Sequence, residues 1–217
     1  MRVSEWIVVL YVTYLVVTAW VTRRHLGARL RITYASAAIL VVVTALPLST
    51  NSWWISLARD WAPGIYILFG YWLSGLFFVQ PDRAAEARLR RLDHALFTRT
   101  GLNRAIAQAP RAVLEFFELA YLFCYLQVPA GFATVYLQGP DIDVDRFWTI
   151  VLTAVFACYG ALPWIPTRAP RQLEPDPPID RRGLVVRRVN LWLLDRASIQ
   201  VNTFPSGHYA AYLATAI

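Results

Sequence analysis

The chain's most chemically suggestive stretch is Asn202-Thr203-Phe204-Pro205-Ser206-Gly207-His208-Tyr209-Ala210. Proline suits the start of a helix, where its missing N–H loses nothing. Serine is a strong N-cap, and glycine lets another group come close to the backbone. A helix start presents unpaired N–H groups and the positive end of the dipole, which together suit a phosphate. A histidine in the first turn can give or take a proton near neutral pH. The string therefore reads as a phosphate cradle formed by Ser206 and Gly207 with a general acid, His208, attached. Its plainer reading is an ordinary cap with a bystander histidine at a membrane interface.

The elements that must position these residues are apolar. Of the 217 residues 57% are hydrophobic and only 16% charged, which excludes a disordered chain. Cys124 and Cys158 both lie in apolar runs and read as buried thiols, not as a disulfide framework. A membrane helix needs roughly 20 mostly apolar residues. Segments of that kind run from about Ser4 to Val21, Ile32 to Leu48, Trp61 to Val79, Ala112 to Leu137 and Phe147 to Ile165, and another begins near Ser206. The segment from Met1 to Val21 lacks a basic leader and a small-residue cleavage site, so it reads as a retained span. Trp20, Trp53, Trp54, Trp61, Trp148 and Trp164 fall near span ends, as an aromatic belt would. The expected fold is an all-α, polytopic membrane helical bundle of five full spans plus a truncated sixth, with interfacial amphipathic helices. Residues 1–80 would form N-terminal spans, and residues 81–217 would form the core that carries the chemistry.

The basic residues are 21 arginines and no lysine, and the formal net charge is +7. Such a charge fits nucleic acid in a soluble chain. Here the arginines sit between apolar spans, so membrane lipids and phosphate are the expected partners and nucleic acid is not. Four arginines lie in Arg23–Arg31, seven in Pro81–Arg111 and seven in Pro166–Pro205, whereas Arg2, Arg59 and Arg146 fall on the other side. The positive-inside rule makes the arginine-rich face cytoplasmic. Two of the basic loops carry amphipathic stretches, Arg83 to Phe97 and Leu184 to Leu194, suited to the interface plane.

The stretch Phe204-Pro205-Ser206-Gly207-His208 resembles the second signature of the type 2 phosphatidic acid phosphatase superfamily. Leu162-Pro163 through Ala169-Pro170-Arg171 is similar to the end of the first signature in the branch related to inositol phosphorylceramide synthases. Leu92-Asp93 to Leu96-Phe97 and Leu114-Glu115 to Tyr121 are similar to what precedes it there. The resemblance implies a membrane enzyme acting on a phosphorylated lipid or isoprenoid, by hydrolysis or transfer, through a phosphohistidine and without metal or cofactor. It implies that Ser206, Gly207 and Arg171 hold phosphate, with Arg168 as a second candidate, and that His208 protonates the leaving group. The first signature's lysine has no counterpart, and no proline follows Arg171. The third signature, which supplies the nucleophilic histidine, is absent from the 217 residues, so this chain alone is expected to be inactive. The resemblance places the site outside the cytoplasm, against the arginine count, and that extracytoplasmic placement is the expectation adopted. A non-catalytic membrane protein that binds anionic lipid or scaffolds a partner is the alternative.

Further candidates are Glu115 and Glu118, three apart on one helical face. They read as favourable charges near a helix start or as acids that orient Arg168 or Arg171. His25 and His94 read as interface histidines, and no His, Cys, Asp or Glu spacing suggests a metal site.

Overall fold

The computed structural model describes residues 1–22, 25–48, 52–139, 143–173, 183–201 and 204–216, apart from the side chains of residues 170 and 171. Regular structure among these residues is helical, with one isolated antiparallel bridge between Arg168 and Val201. The helices are α1 (Val3–Val21), α2 (Leu26–Ala45), α3 (Trp53–Gly75), α4 (Arg83–Asp93), α5 (Leu102–Gln108), α6 (Arg111–Tyr136), α7 (Val144–Ala161), α8 (Pro170–Leu173), α9 (Val185–Ala197) and α10 (Gly207–Thr215). A 3-10 turn, Leu46–Leu48, extends α2, and a π turn, His94–Thr98, extends α4.

Four helical segments are long and apolar enough to cross a membrane: Val3–Val21, Leu26–Leu48, Arg111–Tyr136 and Val144–Ala161. The expected third span differs in both position and character. Its helix starts at Trp53, not Trp61, and ends at Gly75. It takes in Arg59 and Asp60, and its tryptophans, tyrosines and glycines dilute the apolar content. The helix after Ser206 covers nine residues, Gly207–Thr215, or about 14 Å at 1.5 Å per residue. Cys124 and Cys158, expected to be buried, are partly exposed free thiols.

The chain divides into two compact units. One unit comprises Met1–Phe78, Leu126–Trp164 and Pro205–Ile217; the other comprises Val79–Tyr125 and Ile165–Phe204. Two of the three arginine-rich connectors, Pro81–Arg111 and most of Pro166–Pro205, fall in the second unit, and Arg23–Arg31 falls in the first.

In the first unit, Val8, Val12, Leu15 and Ala19 recur at helical spacing and bury one stripe of α1. Trp148, Val151, Leu152, Val155 and Phe156 do the same for α7. Tyr11 stacks on Phe156 with ring centroids 4.1 Å apart. Interior phenols also need hydrogen-bond partners. Tyr11 Oη donates to the Gly70 carbonyl at 3.1 Å, and Tyr14 Oη donates to the Gly160 carbonyl at 2.5 Å.

One end of this unit is ionic. Arg2 reaches Asp60 at 2.6 Å, and Arg59 grips Glu5 through two bonds of 2.6 and 2.9 Å. Asp145 accepts from the N–H groups of Val3 and Ser4, at the start of α1, at 2.8 and 2.9 Å. Trp148 Nε1 donates to the Asp60 carbonyl at 2.7 Å. The Arg59 and Glu5 side chains are 16% and 8% exposed, so removing one partner leaves a largely buried charge. Such a loss costs about 3–5 kcal/mol in buried pairs. Glu5→Gln is therefore expected to lower the thermal midpoint of the purified protein in detergent. The double variant Glu5→Gln/Arg59→Met should recover most of the loss in a double-mutant cycle.

Candidate functional site

Helix α10 starts where the sequence places it. Ser206 is the N-cap, and its Oγ accepts from the Tyr209 N–H at 3.3 Å. Ser206 and His208 are exposed, whereas Gly207 is buried. The His208 ring lies edge-on to Tyr71, with centroids 6.4 Å apart. Close approach at Gly207 is taken by protein: a Cβ there would collide with the Tyr159 ring of α7. The glycine therefore lets α10 pack against α7. At the other end of α10, Thr215 lies against Gly131 of α6, where a Cβ would also collide. Gln127 Nε2 donates to the Tyr212 carbonyl at 3.1 Å. These contacts hold the helix in the first unit from two sides.

Arg168 and the two glutamates belong to the second unit. The Arg168 guanidinium makes a fork on Glu86, with Nε at 3.0 Å and Nη2 at 2.7 Å from its carboxylate oxygens. The Arg168 backbone N–H adds a third bond of 2.9 Å to the same carboxylate. Asp82 N–H donates to the Pro166 carbonyl at 2.8 Å, tying the start of α4 to the segment after α7. The acid that holds Arg168 is thus Glu86, not Glu115 or Glu118. Within the amphipathic stretch the sequence marks Glu86 only as one charge among many arginines, and nothing local signals its distant partner.

Glu115 accepts from the N–H groups of Val185 and Val186 at 2.7 and 3.0 Å, capping α9 from another helix. Glu118 takes Arg187 at 2.8 Å and Asn190 Nδ2 at 2.8 Å. Both acids join α6 to α9. The Arg171 side chain lies outside the described residues. His25 caps α2, its Nδ1 accepting from the Ala28 N–H at 3.3 Å, and His94 opens the π turn.

The ionic end of the first unit holds a cavity of about 570 Å³ that sequence reasoning missed. Arg2, Asp60, Tyr136, Asp143 and Asp145 line it. Arg2, Asp60 and the Asp143–Asp145 pair are far apart in the sequence, so only the fold assembles them. No group of three His, Cys, Asp or Glu side chains among the described residues is arranged to hold a metal ion. Comparisons of the chain with protein-family models, with curated proteins and with solved structures give no match.

Two outcomes follow from this geometry. Gly207→Ala should destabilise the protein by about 1–3 kcal/mol, the usual range for overpacking. Gly207→Ala/Tyr159→Val should recover part of it, read as thermal midpoints. The hydrogen bonds from Arg168 hold the Glu86 carboxyl below its usual 4.5, against the opposing effect of burial. A lowered carboxyl pKa stabilises fully above the ordinary value, and the contribution fades as pH falls through the lowered one. Thermal unfolding followed from pH 7 to pH 3 should lose midpoint on the acid side, and Glu86→Gln should flatten that part of the profile.

Proposed function

We propose that this chain is part of a membrane-embedded phosphatase or phosphotransferase acting on a phosphorylated lipid or isoprenoid. The observation that carries the reading is the start of α10. A Pro-Ser-Gly-His string opens a helix there, Ser206 caps it, and the His208 side chain is exposed at its first turn. By contrast, carboxylates occupy first-turn N–H groups of α1, α4, α7 and α9, from Asp145, Asp82, Asp143 and Glu115. The cap of α10 is a neutral hydroxyl, which leaves its positive end suited to an external anion.

In this reading Ser206 and the Gly207 backbone hold phosphoryl oxygens, and Arg171 supplies a guanidinium that binds phosphate in bidentate fashion. His208 protonates the leaving alcohol. The resemblance assigns the attack on phosphorus to a third-signature histidine, which is not among these 217 residues; the phosphohistidine then passes its phosphoryl group to water or a second hydroxyl. The reading also takes the bundle as five spans plus the start of a sixth, with α3 the third and the site outside the cytoplasm. A reporter fused after Arg90 tests that side, and reporter activity confined to the cytoplasm would overturn it.

The alternative, a non-catalytic protein binding anionic lipid, draws on two observations. Tyr159 packing accounts for Gly207, and Glu86 occupies the Arg168 fork. Binding in nanodiscs separates the two. The enzyme reading expects short-chain phosphatidate, a monoester, to bind more tightly than phosphatidylglycerol, a diester. It also expects Arg171→Ala to weaken phosphatidate binding about tenfold or more, the scale of a lost charged hydrogen bond. Equal affinity for both lipids, unchanged by Arg171→Ala, favours the non-catalytic protein.

A further inference from the structure

The ionic end of the first unit holds a second polar feature, independent of the phosphate reading. Tyr66 of α3 is only 7% exposed, and its hydroxyl has no hydrogen-bond partner among the described residues. The chain treats its neighbours differently. Tyr11 is 6% exposed and gives its hydroxyl to Gly70, and Tyr14 gives its own to Gly160. A phenol left unbonded in an apolar bundle is costly, so such a group points to something that satisfies it.

Tyr66 lines a small cavity of about 10 Å³ together with Arg2, Ser4, Glu5 and Arg59. That volume is the room the centre of one water needs, and a buried water also needs two to four polar partners. The partners are present. The Glu5 carboxylate receives Arg59 on both oxygens but has lone pairs for further donors, and the Arg59 bonds to it use Nε and Nη2 of a five-donor fork. Glu5 and Tyr66 line the same cavity. Val8, Leu46 and Pro63 complete the wall. A bare cation is disfavoured beside two guanidiniums.

We infer that one water molecule is bound where α1 meets α3, bridging the Tyr66 hydroxyl to the Glu5–Arg59 ion pair. The water completes the coordination of a buried ion pair and gives the phenol its partner. Arg2 lines both this cavity and the larger one of about 570 Å³.

Radiolytic hydroxyl-radical footprinting of the intact protein in micelles tests this directly, because radicals form at bound water and mark the nearest side chain. Tyr11 is the internal control, with nearly the same exposure. Tyr66 should be modified several-fold faster than Tyr11; equally slow modification of the two would overturn the proposal. Tyr66→Phe supplies a second readout by its sign. If the hydroxyl anchors a water on the ion pair, the thermal midpoint falls. A midpoint unchanged or raised means that the hydroxyl had nothing to lose, and the water is ruled out.

Discussion

A helix start exposes N–H groups that its own backbone does not satisfy, and in this chain the group that takes them decides where the helices go. Asp145 of α7 reaches the start of α1, so the two helices are joined by an anion on a positive helix end. Glu115 of α6 does the same for α9. These carboxylates act at a distance in sequence, and a chain with only 14 acids places several of them on such duty. The same constraint explains why α10 matters. Its start meets a hydroxyl of its own, and close packing on Tyr159 and Gly131 fixes its position.

Arginine plays two roles, and burial separates them. Arg59 and Arg168 are held by carboxylates that are themselves buried, Glu5 and Glu86. Their value lies in bidentate geometry, which joins distant segments with one side chain. In α4, Arg88, Arg90 and Arg91 are exposed, beside the exposed apolar side chain of Leu92. That pattern fits a helix lying along a headgroup layer. Counting arginines along the sequence merges these roles. Of the three arginines outside the arginine-rich connectors, Arg2 and Arg59 are neutralised in place by ion pairs.

Much of the helical layout could be read in the sequence, because long apolar runs leave little choice of structure. The starts of α1 and α10 and the ends of α6 fall within a few residues of expectation. The run that became α3 was misplaced by its own composition: Arg59 and Asp60 look like the end of a loop when their partners are unknown. Glu5, Arg2 and Asp145 supply the environment that lets those charges sit inside a helix. Glu86 was unreadable for the same reason, since its partner Arg168 is 82 residues away. At Gly207 the sequence carried the need for close approach but not the identity of the group that approaches, which is an aromatic ring. The Ser206 cap could thus be read from spacing, whereas pairings across the fold could not.

The central claim is that the start of α10 receives a phosphate. With three histidines in the chain, backbone labelling with 15N-histidine gives a sparse set of amide signals, and His208 can be assigned by substituting His25 and His94. Dipolar recoupling of those amides to the 31P of saturating short-chain phosphatidate in nanodiscs reads the distance. The account predicts selective dephasing of the His208 amide; full signal at His208 under saturation would contradict it.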